Sequence, residues 1–261
     1  MTILDEIVRD KRVELAQRRQ AVPLADLEQR ARTLPPPRDF EAALTPVPGG
    51  VRLIAEVKKA SPSRGVLAHA FDPVALATTY ATHGAAAISV LTDEKYFKGH
   101  LDLLGAIRAA VTVPLLRKDF VIDEYQLWES RVAGADAVLL IVSILPPALL
   151  RELHAGAKAL GMAALVEAHT AGEVEAAAEA GVRIVGINNR DLGTFTTRLE
   201  TTLELLPLVP PGAIVVSESG FFTADQVRKV VGAGAHAVLV GEGLVTAGDV
   251  PAKVRELTLS G

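Results

Sequence analysis

The sequence predicts an α/β fold, a (β/α)8 barrel preceded by an N-terminal helical extension, and three observations carry that prediction. First, five short apolar runs stop on a polar or charged residue: LIAEVK at 53–58, PLLRK at 114–118, AALVE at 163–167, IVGIN at 184–188 and IVVSES at 214–219. Continuous apolar runs separated by helical segments are the mark of parallel strands buried on both faces. Second, four units share one spelling, a helix closed by Gly and then a β-rich run: Gly84 before AAAISV, Gly134 before ADAVLL, Gly181 before VRIVGI and Gly234 before AHAVLV. Glycine suits the left-handed position that ends a helix, and the tight turn after it delivers the next strand. Third, 261 residues are what eight strand–helix pairs plus a short extension require.

The elements follow in order. Residues 2–20 place Ile3, Leu4, Ile7, Val8 and Leu15 at helical spacing among charges, and residues 26–32 continue in the same style. Pro35, Pro36 and Pro37 stop that helix, a short one is expected at 39–44, and the Pro46–Gly50 stretch breaks the chain again. Residues 1–48 therefore read as a helical extension packed on the body, and 49–261 as the barrel. Strands are expected at 51–58, 86–92, 114–118, 137–142, 163–167, 184–188, 214–218 and 237–241. Helices are expected at 73–82, 101–110, 124–133, 146–160, 171–180, 201–208, 223–233 and 249–258. The competitor is an open doubly wound sheet, whose dinucleotide fingerprint residues 232–237 superficially resemble, but that fingerprint must follow a strand and open a helix. Gly232 and Gly234 instead close a helix and open a strand, so the closed TIM barrel is preferred.

Composition narrows the function. Hydrophobic residues make up 49% and aromatics only 4%, so the core is built from aliphatic side chains suited to layered barrel packing. A net charge of −4 and the lack of any long Lys/Arg block argue against nucleic acid as a partner. The absence of cysteine removes disulfides, thiolate metal sites and thiol nucleophiles. No signal peptide or long apolar stretch is read in the chain, so a cytoplasmic protein without membrane attachment is expected.

Reactive groups at the C-terminal ends of barrel strands mark an active site. On a strand, positions i and i+2 face one side, roughly 6.6 Å apart, so Glu56 and Lys58 point together into the mouth; the plainer reading is a buried ion pair that only stabilises. Lys118 closes the third strand. Near other cations and away from water it would lose basicity and could protonate a carbonyl or form a Schiff base, unless it simply snorkels to solvent. Glu167 ends the fifth strand as a candidate general acid or base, against a helix N-terminal charge. Asn188, Arg190 and Glu218 add donors and a further carboxylate, although Arg190 could instead pair with Asp191 on the surface. Ser219-Gly220 and Gly241-Glu242-Gly243 follow strands seven and eight, where barrels commonly hold phosphate. Asparagine occurs only at 188 and 189, a placement that suggests a use. The histidines show no ligand spacing and are expected mostly on the surface or in loops, with no metal site; Trp128 and Tyr125 are expected to pack.

Five motifs in order, IAEVKKASPS at 54–63, SVLTDE at 89–94, LRKDF at 116–120, GINNRDL at 186–192 and SESG at 217–220, closely resemble the indole-3-glycerol-phosphate synthase family of tryptophan biosynthesis. The resemblance runs from about residue 50 to 245. It implies a lyase without cofactor or metal, whose substrate is a phosphorylated small molecule, 1-(2-carboxyphenylamino)-1-deoxyribulose 5-phosphate. Ring closure, loss of CO2 and loss of water then give indole-3-glycerol phosphate. In the family's terms Lys118 is the general acid at the ketone, Glu167 serves later proton transfers, and Glu56 with Lys58 assists carboxylate placement and dehydration. Asn188, Arg190, Glu218 and Ser219 would meet hydroxyls and carboxylate, with Leu192 beside them. Ser61, Gly220, Gly241 and Glu242 would surround the phosphate, and Phe97, Phe120, Leu139 and Ile141 would form an apolar slot for the anthranilate ring. The alternative is a Schiff-base aldolase on the same phosphate-binding barrel. A monomer with at most weak contact to other tryptophan-pathway enzymes is expected. Two positions depart from the pattern: His100, where a small polar residue is usual, and Gly243, where serine is common.

Overall fold

Each apolar run alternates between two hydrophobic environments, and that alternation builds the barrel. The computed structural model describes residues 2–47, 50–61, 64–67, 71–191, 193 and 196–259. Its barrel strands are β1 (Arg52–Val57), β2 (Ala87–Leu91), β3 (Leu115–Lys118), β4 (Ala137–Ile141), β5 (Ala163–Ala168), β6 (Ile184–Asn188), β7 (Ile214–Glu218) and β8 (Ala237–Val240). Each pairs in parallel with its sequence neighbours, and β8 pairs back onto β1 to close the ring. Followed from strand to strand, the register that leaves β1 at Ala55 returns at position 47, eight residues earlier, the shear of a (β/α)8 barrel.

Ile54, Leu116, Leu139, Leu165, Ile184, Val216 and Leu239 fill the barrel interior. Leu53, Val90, Leu140, Val166, Ile187 and Val238 point the other way, into the layer beneath the helices. Further along the same inward-facing sets come Glu56, Lys118, Glu167, Asn188 and Glu218, so the period of two that packs the core also aims the polar strand ends into the mouth.

The helices are α1 (Ile3–Ala21), α2 (Leu24–Arg32), α3 (Phe40–Ala43), α4 (Pro73–Thr82), α5 (Glu94–Phe97), α6 (Asp102–Ala110), α7 (Glu124–Ala133), α8 (Pro147–Ala159), α9 (Ala171–Glu179), α10 (Glu200–Leu205), α11 (Ala224–Gly232), α12 (Glu242–Val245) and α13 (Val250–Leu257). Asp72, Asp123, Thr170, Thr223 and Asp249 each accept a hydrogen bond from a first-turn backbone N–H, which starts the helix where its strand loop ends. Gly84, Gly134, Gly181 and Gly234 all take positive φ, as their helix-closing positions require.

The structure differs from expectation at a few points. The helix expected over 201–208 ends at Leu205, because Pro207 cannot donate the next helical bond and the chain tightens into a 3-10 turn at Leu206–Leu208. Two one-turn helices, α5 and α12, and a two-residue hairpin pairing Ala60–Ser61 with Gly65–Val66 are additional. They are too short to leave a periodic signal. Pro48 and Gly49, where the expected domain boundary falls, lie outside the described residues.

The N-terminal helices run from one end of the barrel to the other. At the mouth, Ile7 of α1 joins the interior cluster, and Lys11 is buried in ion pairs with Asp93 at 3.1 Å and Asp119 at 3.0 Å, on the loops after β2 and β3. Along the side, α2 packs on α7, where Leu15, Leu27 and Tyr125 form a cluster with the partly buried Trp128. At the opposite end, Phe40 and Leu44 are buried against the lowest interior residues. The backbone N–H of Arg38 donates to Asp136 at 2.7 Å and its guanidinium to the Val113 carbonyl at 2.8 Å, both just before strands. Phe40 thus stoppers the barrel floor. Replacing it with Ala is expected to cost about 3–5 kcal/mol through lost burial and a cavity that rigid strands cannot collapse. Urea unfolding should show a lower midpoint with little change in slope.

Candidate active site

The inward residues at the strand ends meet in one open cleft. Its lining includes Glu56, Lys58, Ser61, Phe97, Lys118, Phe120, Leu139, Ile141, Glu167, Asn188, Arg190, Glu218, Ser219, Gly220, Gly241 and Glu242, which are the expected site residues except Leu192, which lies outside the described residues. The cleft divides into three parts.

At its floor, Lys118 Nζ lies 3.2 Å from Glu167 Oε2 and 3.8 Å from Glu218 Oε2. Burial alone would strip the lysine of its charge, but Glu167, Glu218 and Glu56 outweigh it and hold Lys118 above the usual lysine range. This corrects the expectation that its neighbours weaken its basicity: they are carboxylates, not cations. Burial also opposes charge on Glu167, but Lys118, His169 and a hydrogen bond from Asn188 keep that carboxyl below its ordinary value. Glu218 is pushed well above the carboxylate range by burial and by the Glu167 charge, against the pull of Lys118. As a carboxylate, Glu218 has no hydrogen-bond donor for its buried oxygens; as a neutral acid it supplies its own hydrogen toward Glu167.

Glu56 and Lys58 form a second pair at 2.6 Å. Desolvation is again the largest influence on Glu56, and Lys58 and Lys118 overcome it to keep the carboxyl below its ordinary value. Room for these carboxylates comes from missing side chains. A Cβ on Gly186 would collide with Glu218 Oε1, and one on Gly241 would collide with Glu56 Oε1.

On one side the wall is apolar. Phe97 and Phe120 have ring centroids 6.2 Å apart, Leu139 and Ile141 line β4, and Ile3, Leu4 and Ile7 of α1 complete the lining. The α1 residues were legible only as a helix face, because nothing local says that this face covers a cleft. On the other side, Ser219 and Gly220 take positive φ, and the Ser219 carbonyl accepts a hydrogen bond from Asn189 Nδ2 at 3.0 Å. Asn189 also receives the Thr202 hydroxyl at 2.8 Å, so the second asparagine faces outward and holds the loop in shape while Asn188 faces the site. Arg190 pairs with Glu242 at 3.3 Å, and Arg64 reaches the same carboxylate at 2.8 Å. Gly243 packs against the Phe221 carbonyl so closely that no Cβ fits, which accounts for the absence of serine there. His100 sits outside the cleft, half exposed beside Glu94 and Asp102.

One residue was missed. His169 lies two positions after Glu167 and therefore on the same face, with Nε2 3.4 Å from Glu167 Oε1. The i, i+2 spacing that paired Glu56 with Lys58 was the available signal. Among the described residues no group of three or more His, Asp and Glu side chains is arranged to hold a metal ion, and no helix is long and apolar enough to cross a membrane.

The arrangement offers a lysine favoured in its charged form against a carboxyl favoured as its anion, a second carboxyl pushed toward its neutral form, an apolar slot, and a rim of glycine turns and arginines. Solved structures show the same barrel at low identity. A 3-hexulose-6-phosphate synthase from Salmonella typhimurium superposes with a TM-score of 0.65 at 15% identity, covering 80% of this chain and 97% of that one. An orotidine 5'-phosphate decarboxylase from Pyrococcus horikoshii OT3 gives 0.59 at 13%, covering 78% and 95%. Sequence relatives are far nearer. An indole-3-glycerol phosphate synthase from Roseiflexus castenholzii is 55% identical over 98% of both chains, and one from Dehalococcoides mccartyi (strain CBDB1) is 51% identical over 98% of this chain and 99% of its own. Residues 4–257 match the family profile described as indole-3-glycerol phosphate synthase, and the chain belongs to that family.

Proposed function

We propose that this protein converts 1-(2-carboxyphenylamino)-1-deoxyribulose 5-phosphate to indole-3-glycerol phosphate, CO2 and water. The observation that carries the reading is the contact of a cationic Lys118 with Glu167 at the floor of a cleft that is apolar on one side and lined by glycine turns on the other.

The chemistry divides along those two sides. With the carboxyphenyl ring against Phe97, Phe120, Leu139 and Ile141, and the phosphate by Ser61, Gly220, Gly241 and Glu242, the ketone between them comes to the Lys118 end of the floor. Lys118 gives its proton to the ketone oxygen as the ring carbon bearing the carboxylate attacks. CO2 then departs, leaving its electron pair to restore the aromatic ring. The new hydroxyl leaves as water with a second proton, and Glu167 takes the proton lost from the neighbouring carbon. Starting from an ionised carboxylate, the whole sequence takes up one proton. Lys58, beside Glu56 and close to Gly241, stands nearer the phosphate side and suits carboxylate placement and loss of water. Asn188, Ser219 and Arg190 meet hydroxyls and carboxylate. A neutral Glu218 donates without repelling an anionic substrate. A lysine kept protonated by Glu167 and Glu56 lacks the free amine that a Schiff base needs, which weighs against the aldolase alternative. We take residues 1–48 as an extension of the catalytic barrel, and the protein as a cytoplasmic monomer.

The direct test is the appearance of indole fluorescence from the carboxyphenylamino substrate without added metal. Lys118→Ala is expected to lower kcat at least ~10²-fold, with the circular dichroism of the wild type; undiminished turnover would remove Lys118 from its role. On the Lys118→Ala background, calorimetry should show a dephosphorylated substrate binding at least about tenfold more weakly, since charge-assisted hydrogen bonds contribute roughly 1.5–3 kcal/mol each. Equal affinity would refute the phosphate site.

Glu218 also ties stability to pH. The unfolded chain releases this proton near the ordinary value of 4.5, whereas the folded chain holds it well above that. Between the two, folding requires proton uptake, so this carboxyl destabilises the fold progressively as pH rises. Glu218→Gln cannot ionise. It is therefore expected to raise the melting temperature relative to wild type more at pH 8 than at pH 4.5, as followed by thermal unfolding. An offset independent of pH would mean that Glu218 is ionised in the fold.

A further inference from the structure

His169 lies at the joint between β5 and α9 and is mostly buried, its side chain 13% exposed. Nδ1 stands 3.3 Å from Glu173 Oε2, and the same oxygen accepts the His169 backbone N–H at 2.7 Å. Nε2 is buried with no hydrogen-bond partner and stands 3.4 Å from Glu167 Oε1. The two oxygens of Glu167 are thus divided, Oε2 facing Lys118 and Oε1 facing the imidazole.

A role confined to capping α9 leaves this geometry unexplained. Thr170 already caps that helix by accepting from the Glu173 N–H at 3.3 Å, and the Glu173 carboxylate already satisfies the His169 backbone. Neither contact needs the ring. A purely structural side chain there would also not leave a buried nitrogen turned toward a carboxylate of the site, since an unsatisfied buried polar atom is costly.

We propose that His169, oriented by Glu173, is a positioning residue that in its imidazolium form holds Glu167 Oε1, so that Oε2 stays aimed at Lys118 and the carboxyl stays ionised for its proton transfers. The inference rests on the function proposed above.

The charged groups facing the ring come from three elements: Glu167 of β5, Glu173 of α9 and Lys118 of β3. Glu218 of β7 lies beyond Glu167. The 3-10 turn Val142–Ile144, which packs on both β5 and α9, presents no ionisable side chain. Burial works against the charged ring, but the two carboxylates outweigh it and Lys118, so its titration sits above the ordinary histidine value. Protonation of the ring is thus favoured over that of an ordinary histidine, and as rising pH removes the proton the hold on Glu167 goes with it.

Glu173 touches neither substrate nor reacting atoms, so Glu173→Gln isolates the effect. Two quantities are compared in wild type and variant: the His169 titration midpoint by NMR, and the pH profile of kcat for indole formation. Removing the carboxylate charge is expected to lower the midpoint by roughly one unit. The alkaline limb of kcat should move down by the same interval, with KM changed little. His169→Gln, which keeps an amide donor but does not titrate, should lose that limb altogether. A midpoint that falls while the limb stays in place overturns the proposal, as does a midpoint indifferent to Glu173. If wild-type enzyme forms no indole product, the function itself fails, an outcome distinct from an active enzyme whose limb does not move.

Discussion

The structure turns on charge balance within one layer of side chains. Below it the barrel interior is aliphatic; at it, Glu56, Lys58, Lys118, Glu167 and Glu218 stand within reach of one another and are largely removed from water. Lys58 and Lys118 answer two of the three carboxyls at that depth, the His169 ring beside Glu167 is shared with Glu173 outside the layer, and an uncompensated buried charge costs several kcal/mol. The third carboxyl therefore keeps its proton, and position decides that it is Glu218: it is the more distant partner of Lys118, and it faces an already ionised Glu167. A neutral acid, an ionised carboxylate and a protonated amine side by side are what a sequence of proton transfers needs, and here they follow from electrostatics rather than from three separately tuned sites.

That layer is steadied from outside the barrel. Arg117 and Lys118 are consecutive on β3, so they face opposite ways, and Arg117 is buried beneath α7 with Asp119 at 2.9 Å and Glu129 at 2.8 Å. Asp119 also holds Lys11 of α1, and Arg18 of α1 bonds Glu129 at 2.9 Å. The ion pairs thus run continuously from the helix over the mouth to the strand that carries Lys118. Burial opposes the charge of Asp119, yet Arg117 and Lys11 hold its carboxyl well below the usual range. The lysine of the floor and the apolar roof are consequently fixed by one set of charges, and displacing α1 would expose both at once.

What the sequence disclosed follows the same division. The strands were legible because burial on both faces leaves uninterrupted aliphatic runs, and the site residues were legible because a charge at the end of such a run has few structural reasons to be there. Helix ends followed from glycines and caps, except where Pro207 cut α10 short. Two things lay out of reach, and a third was readable but passed over. The roofing by Ile3, Leu4 and Ile7 is a long-range contact with no local signature. The sign of the Lys118 shift depended on which strand ends became its neighbours, which periodicity alone does not give. His169 was passed over because a single histidine was weighed as a metal ligand, although its i, i+2 relation to Glu167 was readable in the chain.

The glycines of the strand ends show how strongly the charged layer shapes the rest. Gly186 lies inside β6, where it would ordinarily count as a weak point in a strand, and Gly241 follows the end of β8. Each occupies space that a Cβ would take from a carboxylate, Glu218 in one case and Glu56 in the other. Alanine at either position would turn the carboxylate out of its ion pair or push the strand away from its neighbour, disturbing balance or register. The barrel thus gives up strand propensity at Gly186, and a side chain at Gly241, where its carboxylates need the volume. Within this chain, the strand-end glycines and the strand-end charges are one requirement, and a change to either member of a pair has to be answered by the other.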